Sequence, residues 1–117
     1  VLEIDLQAVL KTVCPQVFMR VAPSGTKGRY ITWQHLGGDP IIFLDNSQGD
    51  KRNAQIQVNA YDGTGLDALR LLQAAQAALL AAKDKFAASP LSEPITALDD
   101  ADDVPGYLQS YSITGTR

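Results

Sequence analysis

Residues 51–61 give the cleanest period-two signal in the chain: Ala54, Ile56, Val58 and Ala60 fall on one side of an extended chain, Gln55, Gln57, Asn59 and Tyr61 on the other. A side-chain period of two is the signature of a half-buried strand. A one-residue slip would turn the whole apolar set to solvent, so the register of this strand is firmly specified. Asp62-Gly63 then turns the chain, and Thr64, three residues before Asp67, offers a capping-box-like helix start. Leu69, Leu72, Ala75, Leu79, Ala82 and Phe86 recur at helical spacing, which predicts a helix over about 65–85 whose many alanines raise its propensity.

The rest of the chain is read against this strand and helix. Leu2, Leu6, Val9, Leu10 and Val13 mark a short amphipathic helix, with Glu3 and Asp5 at the positive end of its dipole and Pro15 as its stop. A short strand is expected over Val17–Val21, then a turn from Pro23 to Gly28. Tyr30 to Leu36 alternates with Tyr30, Thr32 and Gln34 on one face and Ile31, Trp33 and His35 on the other, predicting a strand broken by Gly37-Gly38. Ile41–Leu44 is a further candidate strand, and 45–50 a loop. The two prolines between Ala87 and Pro94 predict a loop, Ile95–Leu98 a short strand, and Tyr107 onward a terminal strand. The expected fold class is α+β. One antiparallel or mixed sheet of about four to five strands packs against two helices on one face, as a single domain over 1–117.

Ten Lys and Arg against thirteen Asp and Glu give a net charge of −3. No basic stripe is present of the kind that grips a nucleic-acid backbone; the pairs Lys27/Arg29 and Lys51/Arg52 read first as solvated turn charges. One cysteine, Cys14, excludes an internal disulfide and reads as a packed thiol. No apolar run approaches the ~20 residues that span a bilayer, and no signal-peptide pattern is visible. The expected compartment is the cytosol or a particle assembled there.

Catalytic patterns are sparse. His35, the single histidine, is expected in the core or an interface rather than as a general base, and no nucleophile elbow accompanies it. Asp99 to Asp103 reads as a solvated acidic loop in preference to a cation site, because the spacing of a calcium loop is missing. The glycines form no phosphate cradle. What stands out instead is the amide-rich face of Gln34, Gln55, Gln57 and Asn59, bordered by Tyr30 and Tyr61, which is either solvated or a polar contact surface.

Several of these segments together resemble a known family. They are Val21-Ala22-Pro23-Ser24-Gly25-Thr26, Tyr30-Ile31-Thr32-Trp33-Gln34, Arg52 to Tyr61, and the helix containing Ala74-Ala75-Gln76-Ala77-Ala78-Leu79. The chain resembles, over about residues 3 to 83, the tail-completion or tail-to-head joining proteins of long-tailed bacteriophages. It departs from that pattern at Arg29, where a proline is expected. The resemblance implies a structural, non-enzymatic protein of the virion tail, assembled in the bacterial cytoplasm, with no cofactor or metal. It would cap the finished tail tube as a ring, commonly of six subunits. Its partners would be copies of itself, the tail tube protein and the head-tail connector, with DNA passing through unspecifically and no membrane involved. On this reading the loops at 23–29 and 45–52 are long, polar and mobile, and supply contacts through Ser24, Thr26, Lys27, Arg29, Asn46, Gln48, Lys51 and Arg52. The amide face adds Gln34, Gln55, Gln57 and Asn59, and the acidic run would ease DNA passage. A stand-alone α+β module binding a ligand or peptide is the competing class, and a hydrolase using His35 a third.

Overall fold

The computed structural model describes residues 1–23, 25–38, 51–99 and 104–116. In chain order the elements are α1 (Leu2–Lys11), β1 (Val17–Met19), β2 (Tyr30–Gly37), β3 (Lys51–Tyr61), α2 (Gly65–Ala81), β4 (Phe86–Pro90), β5 (Ile95–Asp99) and β6 (Val104–Thr116). They form an α+β arrangement around one mixed sheet of six strands, slightly more than the four to five expected. The strand order is β1-β2-β3-β6-β4, with β5 also on β6. Among the described residues only the β1–β2 pair is parallel.

The alternation in 51–61 has the expected consequence. Every residue of β3 pairs with β6, from Lys51 opposite Thr116 to Tyr61 opposite Gly106. This register aligns Ile56 with Tyr111 and Ala54 with Ile113, on the face that both helices cover. From α1 that face receives Leu2, Leu6, Val9 and Leu10; from α2 it receives Ala68, Leu71, Leu72, Ala75 and Leu79. Each fully buried leucine contributes roughly 1.5–3 kcal/mol relative to exposure. Leu69, expected in the apolar stripe, is half-buried, while Ala68 and Leu71 are buried. Cys14 is buried as expected, its Sγ 3.6 Å from the carbonyls of Gln16 and Arg29.

Local chemistry explains the element ends. Thr64 caps α2, its hydroxyl accepting the Asp67 N–H at 3.1 Å. The helix stops at Ala81 instead of reaching 85, because Phe86 must enter the sheet opposite Gly115. β1 ends at Met19, two residues before the expected limit. Arg20 adopts a left-handed φ of 74° and turns the chain away while its N–H still reaches the Trp33 carbonyl at 2.7 Å. Gly37 and Gly38 break β2 as expected, and Gly38 is needed there: at φ 146° it lies so close to β3 that an added Cβ would stand 2.5 Å from the Asn53 carbonyl.

The segment expected as a proline-marked loop over 87–94 is partly a strand. Phe86–Pro90 pairs with β6 through Gly115 to Tyr111. Ala87, Ala88 and Ser89 have little strand preference of their own. The open edge of β6 recruits them, and Pro90 is tolerated because it closes an edge strand. The chain then steps out at 91–94 and returns as β5 along the first half of β6. The terminal strand accordingly begins at Val104, before the expected Tyr107. Ile41–Leu44 and the loop 45–50 lie outside the described residues, as do Asp100 to Asp103; Asp99 ends β5.

At the step between β4 and β5 the core holds polar groups. The Tyr111 hydroxyl donates to Gln109 Oε1 at 2.6 Å, and Gln109 Nε2 donates to the Ser92 carbonyl at 2.8 Å. Burial pushes the Tyr111 phenol above its ordinary value. A raised phenol contributes stability that is present below the unfolded value, about pH 10, and is lost as the pH climbs past it. In an alkaline absorbance titration, folded wild type and Tyr111→Phe should therefore show the same tyrosinate amplitude. A smaller amplitude in the folded variant would contradict a protected Tyr111.

Candidate interaction face

The sheet side away from the helices is set by the same register. Gln34 stands opposite Gln57, Thr32 opposite Asn59, Gln57 opposite Ser110 and Gln55 opposite Ser112. Between Asn53 and Tyr61, β3 presents only amides and a tyrosine to this side, and β6 answers with Leu108, Ser110, Ser112 and Thr114. No charged side chain interrupts this central region. Side-chain bonds run through it. Gln57 Nε2 donates to Asn59 Oδ1 at 2.9 Å, Asn59 Nδ2 to Thr32 Oγ1 at 3.1 Å, and Asn53 Nδ2 to Ser112 Oγ at 2.9 Å. Tyr30 and Tyr61 stack at 4.9 Å across one end. The Tyr61 ring lies over Gly106, where an added Cβ would come within 2.4 Å of it.

The face is not uniformly available. Asn59 and Thr32 are buried, while Gln34, Gln55 and Gln57 are half-buried. Register explains the difference, since Phe18, Thr32, Asn59, Leu108 and Ile95 form one row across five strands. Apolar side chains flank the polar pair in that row. Asn59 thus holds the face together, and Gln34, Gln55 and Gln57 are the amides left able to contact something else.

The remaining expected contact residues separate. Arg52 turns to the helix side, where its guanidinium bonds the Glu3 carboxylate, so it does not join the amide face. Glu3 Oε2 also meets His35 Nε2 at 2.9 Å. His35 is therefore 36% exposed at the sheet margin, outside the core, edge-on to Trp33. Gln7 braces this corner, accepting from Trp33 Nε1 at 2.7 Å and donating to the Val17 carbonyl at 2.9 Å. Lys51 is exposed and shares a surface hollow with Lys83 and Lys85.

The loop expected to be mobile is anchored in its described part. Thr26 closes a turn on the Pro23 carbonyl, and Gln16 Nε2 donates to the carbonyls of Lys27 and Arg29 at 2.8 and 3.0 Å. Lys27 and Arg29 keep exposed side chains on this fixed backbone. Ser24, Asn46 and Gln48 lie outside the described residues.

Among the described residues no three His, Cys, Asp or Glu side chains gather to hold a metal. Leu6, Leu10, Leu72 and Leu79 fill the space between helices and sheet. Among the described residues, a hollow of about 340 Å³ lies at the surface beside Ile4, Met19 and Trp33. No described helix is long and apolar enough to cross a membrane. Comparison with family models and with curated proteins finds no match.

Asn59→Ala should cost about 1–3 kcal/mol, because it strips partners from Gln57 and Thr32 in a low-exposure site. Gln55→Ala should stay within about 0.5 kcal/mol, as an ordinary surface change. Urea denaturation of both variants checks the contrast; equal losses would contradict the division of the face into structural and available amides.

Proposed function

We propose that this chain is a structural, non-enzymatic protein of a phage or prophage tail that assembles as a ring and caps the tail tube where the head docks. The observation that carries this reading is the uncharged amide and hydroxyl face on the side of the sheet that neither helix covers. Gln, Asn, Ser, Thr and Tyr make adaptable contacts without the cost of desolvating a charge, which suits the broad face that a ring subunit would turn to the tail tube or the connector. The mapping of the family-like segments supports it further. Tyr30–Gln34 and Arg52–Tyr61 are neighbouring strands, and Ala74–Leu79 belongs to the helix packed behind them, so the resemblance covers one contiguous body.

On this reading there is no substrate and no cofactor. The function is geometric, with the sheet and α2 as the rigid wedge and the tail tube and connector proteins as neighbours in the virion. DNA passes through the ring without a specific contact, in keeping with a net charge of −3. Sedimentation across a wide concentration range tests the reading. The expected result is a cyclic assembly near six subunits that dissociates reversibly on dilution. A 12.6 kDa monomer at every concentration would argue against autonomous ring formation and for a stand-alone binding module.

A further inference from the structure

Both edges of the sheet carry apolar side chains that the fold leaves uncovered. At the β1 edge, Ile4, Met19 and Val21 are 68%, 52% and 77% exposed. Ile4 and Met19 border the hollow over Trp33. At the opposite edge Leu91 and Ile95 are each 52% exposed, and the Leu91 N–H, donating to the Ser110 carbonyl at 2.8 Å, holds this segment against β6. Each apolar group surrounds an exposed charge. Arg20 sits between Met19 and Val21, and Glu93 between Leu91 and Ile95. The two charges are opposite in sign, and neither has an ion-pair partner among the described residues.

Backbone strand addition suits neither edge. β1 is three residues long and is followed at once by the left-handed Arg20, while Pro90 and Pro94 remove N–H donors from the other edge. Contact through side chains is what these edges offer.

We propose that copies of this chain associate head to tail, the β1 edge of one seating on the β4–β5 edge of the next. Met19 and Val21 meet Leu91 and Ile95, and Arg20 pairs with Glu93. A second copy is the occupant because one chain carries both halves of the match, with apolar groups flanking opposite charges on opposite edges of one sheet. The two patches differ, so the contact is heterologous and each copy keeps one free patch for another neighbour. Such contacts close into a ring when the rotation per subunit divides a full turn. The inference rests on the ring reading above and assigns its surfaces.

Charge reversal tests it. Arg20→Glu and Glu93→Arg are both exposed changes remote from the core, and each alone places like charges across every contact. Self-association of either variant should weaken by about tenfold or more. In an equimolar mixture the variants can alternate, which restores an opposite-charge pair at every contact, so the mixture should regain the wild-type mass. Circular dichroism of each variant separates unfolding from lost contact, and recovery on mixing excludes unfolding independently. If wild type forms a ring and both variants form it equally well, the edge assignment is overturned while the ring reading stands. If wild type does not associate at any concentration, both are overturned.

Discussion

The β3–β6 ladder governs the rest of this molecule. All eleven residues of β3 pair with β6 without a bulge. That pairing decides which side chains face the helices and which face away, because a one-residue slip would exchange the two sets. From it follow the core under α1 and α2, the amide rows on the other side, and the contact of the Tyr61 ring with Gly106. β2 adds to the ladder as far as its bulge near Gly37, and β1 then adds in parallel.

The opposite side of β6 is built differently. One thirteen-residue strand is shared end to end by two five-residue strands, with the chain stepping out between them. The step places the Ser92 carbonyl against Gln109 and brings the Tyr111 hydroxyl into the core. A buried tyrosine and glutamine are costly unless bonded, and here each satisfies the other. The same step exposes Leu91 and Ile95 and leaves Glu93 at the edge. Core satisfaction and edge composition thus come from one local feature, which links the fold to the proposed contact between copies.

The sequence made most of this legible where periodicity was strong. Strand 51–61, the two helices and the Gly37-Gly38 break are where spacing placed them, save that α2 ends at Ala81, because each is fixed by burial of an apolar set or by a backbone need of its own residues. β4 was hidden, since Ala87, Ala88 and Ser89 pair only because β6 offers them an edge, and Pro90 argued the other way. The site divided along the same line. Parity put Gln34, Gln55 and Gln57 on one face, yet it could not show that Phe18 and Leu108 flank Asn59 and Thr32. Parity also put His35 and Arg52 on the helix side, yet it could not show that Glu3, far away in sequence, would meet both of them there. The pairing of Arg20 and Glu93 with exposed apolar neighbours is visible in the sequence only once topology has placed them at opposite edges.

Hydrogen exchange followed by mass spectrometry, on dilute and on concentrated protein, addresses the whole picture of a rigid body presenting two edges. Amides of β3 and β6 should exchange most slowly at both concentrations, because they open only with global unfolding. Amides around 17–21 and 91–95 should exchange fast in dilute protein and slow down together as the mass rises. Exchange in β3 and β6 as fast as at the edges would contradict the ladder as the organising element. Edges unchanged while the mass rises would show that copies meet through some other surface.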